Sequence, residues 1–225
     1  MKQVIAIDGP SGSGKTTLAK LIAKELGFNY LDTGALYRAV ALALSSNGIK
    51  PEDNDDKLRD IISKNHITFS NGRVFLNGRD VSEDIRSAEM DHYSSVFSAR
   101  KIVRDFLLHA QRDAALNSDL VVEGRDTTTV VFPDAKKKIF LDASVEERAK
   151  RRYLQFRGTG IDISIDESRR NIIDRDKRDS SRDIAPLKIA PGALLVDSSD
   201  LSVEQVTKKI LGFIRTDPCP HQADL

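Results

Sequence analysis

The chain has 225 residues, 40% of them hydrophobic and 31% charged, enough for one large α/β domain with a well-buried core and too few for two independent ones. Its 35 basic and 34 acidic residues leave a formal charge of +1, which argues against broad binding to nucleic acid or a membrane surface, where a basic excess supplies the affinity. No run approaches the ~18 apolar residues of a membrane span, and the single cysteine, Cys219, excludes an internal disulfide and a thiolate metal cluster.

Met1-Lys2-Gln3 leads straight into an apolar strand, Val4-Ile5-Ala6-Ile7-Asp8, leaving no room for a secretory leader, so a cytoplasmic location is expected. Gly9-Pro10-Ser11-Gly12-Ser13-Gly14-Lys15-Thr16 follows, and Leu18, Leu21, Ile22 and Leu26 then recur at helical spacing up to Gly27. Strand, glycine-rich loop and helix in this order make a phosphate-binding loop. Its glycines let successive backbone N–H groups turn inward around a polyphosphate, at a helix N-terminus that adds partial positive charge. Lys15 can reach the β and γ phosphates. The Thr16 hydroxyl suits a Mg²⁺ ion bridging them, and the stretch through Thr17 is the expected nucleotide cradle.

Phe28-Asn29-Tyr30-Leu31 reads as a second strand ending in Asp32-Thr33-Gly34, with Thr33 as N-cap of a helix over Ala35 to Leu44 that Asn47-Gly48 stops. Pro51 to Asp56 is an acidic linker into a weaker helix around Leu58 to Ile62. From Ile67 the apolar period becomes two, and Asn71-Gly72 between Ile67-Thr68-Phe69 and Arg73-Val74-Phe75-Leu76 signals a hairpin, a small antiparallel insertion able to close over a substrate. Ile85 to Ser98 reads as helical or mixed. Arg100 to Asn117 is an amphipathic helix with Ile102, Val103, Phe106, Leu107 and Leu116 on its buried side.

Leu120-Val121-Val122, Lys138-Ile139-Phe140-Leu141 and Leu194-Leu195-Val196 complete about five strands of a parallel sheet covered by helices. Val145 to Phe156 and Ser164 to Arg178 are charged helices joined flexibly at Gly158-Thr159-Gly160, with Pro186 and Pro191 ending the second. Val203 to Ile214 closes the fold, and Thr216 to Leu225 has the composition of a disordered tail. Lys136-Lys137-Lys138 reads as solvated edge charge, and His66, His92, His109 and His221 as structural or surface residues without ligand spacing.

Ligands of open parallel sheets bind beyond the carboxyl ends of the strands. That selects Asp32-Thr33-Gly34 with Tyr37-Arg38 one turn on, Glu123-Gly124-Arg125-Asp126, and Asp142. Arg38 and Arg125 suit bidentate phosphate binding and point to a phosphorylated acceptor, the alternative being structural pairing with Asp32 or Asp126. Glu123, Asp126 and Asp142 compete as acidic partners of the metal. Between Arg148 and Arg182 eleven basic residues outnumber six acidic ones, an excess that fits a surface facing a polyanion.

Four stretches together resemble the bacterial cytidylate kinases over nearly the whole chain: Gly9 to Thr16; Leu31-Asp32-Thr33-Gly34-Ala35-Leu36-Tyr37-Arg38; Glu123-Gly124-Arg125-Asp126-Thr127-Thr128-Thr129-Val130-Val131-Phe132-Pro133-Asp134-Ala135; and Arg175-Asp176-Lys177-Arg178-Asp179-Ser180-Ser181-Arg182-Asp183-Ile184-Ala185-Pro186-Leu187. The resemblance implies a single nucleoside-monophosphate kinase domain with its core over about 1–62, 98–147 and 185–215, a monophosphate-binding insertion over about 63–97, an Arg-rich lid over about 148–184 and a flexible tail, 216–225. It implies ATP with Mg²⁺ and CMP or dCMP as substrates, with no nucleic-acid or membrane partner, in a monomer. Family likeness puts Thr33, Arg104 and Asp126 on the cytosine and makes Tyr37 a further CMP-binding residue. It puts Ser95, Arg175 and Asp179 on the sugar, and Arg38, Arg125 and Arg182 on the acceptor phosphate. Lys15, Arg125 and Arg182 are then the expected catalytic residues. The cytosine N4 amino group matches a carboxylate such as Asp126, and its O2 and N3 match an arginine such as Arg104.

The family usually carries an apolar residue and then Gly after Gly-Arg-Asp. Here Thr127 and Thr128 stand there, so a stiffer loop is expected; Thr33 replaces a frequent Ser and keeps the hydroxyl. The alternatives are a phosphate-loop kinase acting on another small molecule, told apart by its acceptor profile, and a GTPase-type switch, for which the chain lacks Asn-Lys-x-Asp.

Overall fold

The computed structural model describes residues 2–70, 72–158, 160 and 162–216. Five apolar runs become parallel strands, β1 (Val4–Asp8), β2 (Asn29–Asp32), β6 (Leu120–Gly124), β7 (Lys137–Asp142) and β8 (Leu194–Asp197), in the sheet order β2-β6-β1-β7-β8. Alternation within β1 assigns its side chains to two cores. Ala6 joins Leu31, Leu120 and Val122 beneath helices α2 (Thr33–Ser46), α3 (Asp55–Ser63) and α5 (Lys101–Asp113). Ile5 and Ile7 join Val121, Ile139, Leu141 and Val196 beneath α1 (Lys15–Leu26) and α8 (Val203–Arg215). Each fully buried Leu or Ile contributes about 1.5–3 kcal/mol, so a sheet covered on both faces needs no extra support.

The register brings acidic residues to one edge: Asp32 pairs with Glu123, and Asp8 with Gly124. The loop after β1 and the loops after β2 and β6 therefore open on the same side.

The period-two stretch is a three-stranded antiparallel sheet, β3 (Ile67–Ser70), β4 (Arg73–Leu76) and β5 (Arg79–Asp80), one strand more than the expected hairpin. Asn77 and Gly78 make its second turn with φ of 54° and 82°, the pair of positive values an Asn-Gly hairpin turn requires. A short 3₁₀ turn, Asp84–Arg86, leads into α4 (Ala88–Phe97). After β7 come α6 (Val145–Gly158) and α7 (Ile165–Ser181), packed on each other.

Three local expectations are corrected. Asp32, not Thr33, caps α2, accepting from the Ala35 N–H at 2.9 Å, because Asp32 keeps the extended backbone of the strand end while Thr33 is already helical and its hydroxyl donates to the Glu123 carbonyl. Helix α5 ends at Asp113, so Leu116 leaves the buried side and stands 67% exposed. Lys137 is buried: its ammonium donates to the Phe213 carbonyl at 2.9 Å and to the Thr216 carbonyl, neutralising the last turn of α8. Cys219, His221, Thr159 of the joint, Asn71 of the hairpin turn and the tail beyond Thr216 lie outside the described residues.

Candidate active site

The loop after β1 is packed too tightly for side chains. A Cβ on Gly9 would stand 2.0 Å from the Leu141 carbonyl oxygen, so only glycine lets the chain cross β7 here. Helix α1 starts at Lys15, whose buried ammonium donates to the Pro10 carbonyl at 2.7 Å and the Ser13 hydroxyl at 3.2 Å. Burial, reinforced by the Arg125 and Arg175 charges, pulls Lys15 down to about 7.

Glu123, at the end of β6, touches Thr16 and accepts from the Tyr30 hydroxyl at 3.0 Å. Burial and the neighbouring Asp32 raise its pKa. The next residue has to be glycine: a Cβ at Gly124 would lie 2.5 Å from the Thr33 hydroxyl oxygen, which itself donates to the Glu123 carbonyl at 2.8 Å.

The Thr127-Thr128 departure has a partner in Asp8. The Thr127 N–H and hydroxyl donate to one Asp8 oxygen at 2.9 and 2.7 Å, and the Thr128 N–H and hydroxyl to the other at 2.7 and 2.5 Å. Thr127–Val131 then coils as one π turn, closed on the Asp126 carbonyl and held from α5 by Arg112, which donates to the Val130 and Val131 carbonyls. The two threonines thus tie the loop to a buried carboxylate beneath it.

Beyond this loop the arginines interlock with acids. Arg104 donates to Asp126 and, at 3.1 Å, to the Ser98 carbonyl. Arg182 lies 3.6 Å from Asp126 and 3.8 Å from Asp179, and Arg125 donates to Asp179 at 2.9 Å. Burial pushes the Asp179 carboxyl up, but Arg125, Arg175 and Arg182 together outweigh it and hold it below the usual carboxylate range. Tyr37 packs its ring under Arg104 and is pushed up to about 12 by burial. Ser95 accepts from Arg178 at 3.1 Å.

Helices α6 and α7 face the loop after β1. Arg148 donates to the Ser11 carbonyl at 2.9 Å and pairs with Asp176, which accepts from the Ser11 N–H at 3.0 Å. Arg151 reaches the Ser13 carbonyl at 3.3 Å. Arg148, Arg151 and Arg152 share one face by the three- and four-residue spacing of a helix.

A cleft of about 770 Å³ lies between these elements. Ser11 to Thr17, Arg38, Glu123, Arg125, Arg151, Arg152 and Arg175 line it. Of the three acids proposed for the metal, Glu123 alone reaches this cleft; Asp126 is taken up by arginines, and Asp142 accepts its neighbour Ala143's N–H. Among the described residues no cluster of three His, Cys, Asp or Glu can hold a metal, and no helix is long and apolar enough to cross a membrane.

A family model described as cytidylate kinase matches residues 5–216. The chain belongs to the cytidylate kinase family. A cytidylate kinase of Thermosipho melanesiensis is 50% identical over 211 residues, 94% of this chain and 96% of that protein. One of Thermodesulfovibrio yellowstonii is 48% identical over 221 residues, 96% of this chain and 100% of the relative. A solved structure, an uncharacterized protein from Eubacterium ventriosum ATCC 27560, superposes with a TM-score of 0.55 at 13% identity over 96% of this chain and 100% of that one, a likeness of fold alone.

Against that family background, the expected site residues fall into two groups. Arg38, Arg125 and Arg175 line the cleft with the nucleotide loop, whereas Arg104, Asp126, Asp179 and Arg182 form ion pairs with one another beside it, with Thr33, Tyr37 and Ser95 buried around them. Sequence reasoning missed Asp8, Asp91, Arg148, Arg151 and Arg152 as contributors to the site. The basic excess between Arg148 and Arg182 pointed to the arginines collectively. Asp8 and Asp91 carry no signal beyond being acids, and only their neighbours give them a role.

Proposed function

We propose that this member of the cytidylate kinase family transfers the γ-phosphoryl group of ATP to CMP or dCMP, giving ADP and CDP or dCDP. The observation that carries the reading is that the phosphate loop and a cluster of four arginines, Arg38, Arg125, Arg152 and Arg175, open into one cleft. A second anionic substrate can therefore lie against the first.

Residues Gly9 to Thr17 cradle the triphosphate, and Lys15 neutralises the oxygens between its β and γ phosphates. Arg38, Arg125 and Arg182 hold the acceptor phosphate, while Thr33, Arg104 and Asp126 read the cytosine edge beside Tyr37. Ser95, Arg175 and Asp179 meet the sugar. Residues 63–97 and 148–184 act as monophosphate-binding insertion and lid, and lid closure excludes the water that would otherwise take the phosphoryl group. The Thr16 hydroxyl and the Glu123 carboxylate, touching each other at the cleft, offer the hard oxygen donors that Mg²⁺ prefers. Bound with ATP, Mg²⁺ would supply charge neutralisation on the phosphates. The acceptor phosphate is already an ionised nucleophile, so these residues act by alignment and charge stabilisation and no general base is required.

The test is ADP release from ATP and Mg²⁺ against CMP, dCMP, UMP, AMP, GMP, TMP and no acceptor. CMP and dCMP should stand well above the rest. If no monophosphate stimulates turnover, a kinase for another metabolite replaces this reading.

A further inference from the structure

Asp91, in the first turn of α4, is the meeting point of three arginines from three other helices. Its Oδ1 lies 3.5 Å from Arg38 Nη1 and 3.5 Å from Arg175 Nη1, and its Oδ2 contacts Arg152 Nη2. Arg38 comes from α2, Arg152 from α6 and Arg175 from α7. All four side chains are only 15–18% exposed, so this is a partly desolvated cluster and not a row of surface pairs.

The cluster holds more positive charge than its acids neutralise. Besides Asp91, Arg38 has Asp32 at 3.4 Å and Arg175 has Asp179 at 3.9 Å, but Asp179 is already shared with Arg125 and Arg182. Arg152 is pushed down to about 9 and Arg175 to about 10, first by burial and then by neighbouring guanidinium groups. The buried Nε atoms of Arg38 and Arg175 have no hydrogen-bond partner. Two carboxylate oxygens leave donors unused that a phosphate, with three acceptor oxygens and more charge, can satisfy.

We infer that Asp91 is a positioning residue that gathers Arg38, Arg152 and Arg175 and sets acceptor affinity by competing with the acceptor's phosphate for Arg38 and Arg152. This rests on the reading that the acceptor phosphate binds Arg38. Between visits of the acceptor the carboxylate keeps three mutually repelling cations together across α2, α6 and α7. The acceptor then has to displace it, and its apparent affinity falls by the fraction of molecules in which Asp91 holds the arginines. An ordinary structural ion pair at a helix N-terminus leads to a different result, since its loss loosens the arginines and weakens binding.

The experiment compares wild type with Asp91→Asn, Asp91→Ser and Asp91→Glu by calorimetric titration with CMP, with cytidine and, under saturating ADP, with inorganic phosphate. Both neutral variants should bind CMP and phosphate roughly fivefold more tightly, with cytidine unchanged and Asp91→Glu close to wild type. Using two neutral side chains keeps the result independent of how either one packs. Unchanged or weaker phosphate binding in the neutral variants overturns the inference, as does a Glu variant that behaves like them. If CMP fails to bind the wild type at all, the acceptor assignment falls, and the phosphate titration still decides the role of Asp91.

Discussion

Thr128 donates twice to one oxygen of Asp8, through its N–H at 2.7 Å and its hydroxyl at 2.5 Å, and Thr127 does the same to the other oxygen at 2.9 and 2.7 Å. Asp8 has no exposed surface, so these four donors replace the water it gives up. The same π turn begins at Asp126, which links the floor of the phosphate loop to the carboxylate proposed to read the base.

Thr128→Val keeps the shape and removes one hydroxyl from this buried acceptor. A loss of about 1–3 kcal/mol is expected in urea unfolding, with KM for CMP rising more than KM for ATP because Asp126 shifts with its turn. Equal changes in both would sever the link between Asp8 and the acceptor pocket.

Asp126→Asn preserves a carbonyl for Arg104 but presents an amide to the pyrimidine N4 or O4 position. The ratio of kcat/KM for CMP over UMP should drop by about ten- to a hundredfold, the value of one well-placed base contact. If the ratio survives in a variant that still melts cooperatively, base recognition lies elsewhere.

Arg182 hydrogen-bonds the Ala185 carbonyl at 2.7 Å and holds Asp126 and Asp179 only at 3.6 and 3.8 Å, with one buried nitrogen unpartnered. Its acids keep Arg104, Arg125 and Arg175 when it is removed. Arg182→Ala is therefore expected to stay folded within about 2 kcal/mol of wild type while kcat falls about a hundredfold or more. An unchanged kcat removes Arg182 from the reaction.

Lys15 stands at about 7 through burial and the Arg125 and Arg175 charges, and bound phosphate, an anion, raises it. In the window between the two values ATP binding takes up a proton. ATP affinity should be highest below about 7 and decline as pH rises past it. Titrations near pH ~8 in buffers of different ionisation enthalpy should show this uptake, and Lys15→Arg should abolish it. No uptake by the wild type means that Lys15 is already protonated before ATP arrives.

Much of the molecule is legible in the sequence because its signals are local. A strand, a glycine-rich loop and a helix are contiguous between Val4 and Leu26, the five apolar runs each mark a strand, and Asn77-Gly78 marks the second turn of the small sheet. Where expectation failed, a distant partner decided the outcome. Lys137 reads as edge charge until the end of α8 places two carbonyls beside it, and Leu116 reads as core until α5 stops at Asp113. The roles of Asp8 and Asp91 depend on contacts with residues far along the chain: Thr127 and Thr128 lie about half the chain from Asp8, and Arg38, Arg152 and Arg175 reach Asp91 from three helices. Periodicity and motif spacing record what neighbouring residues require of the backbone. Which buried charge meets which is decided by the sheet register and helix packing, where burial makes an unpaired charge costly.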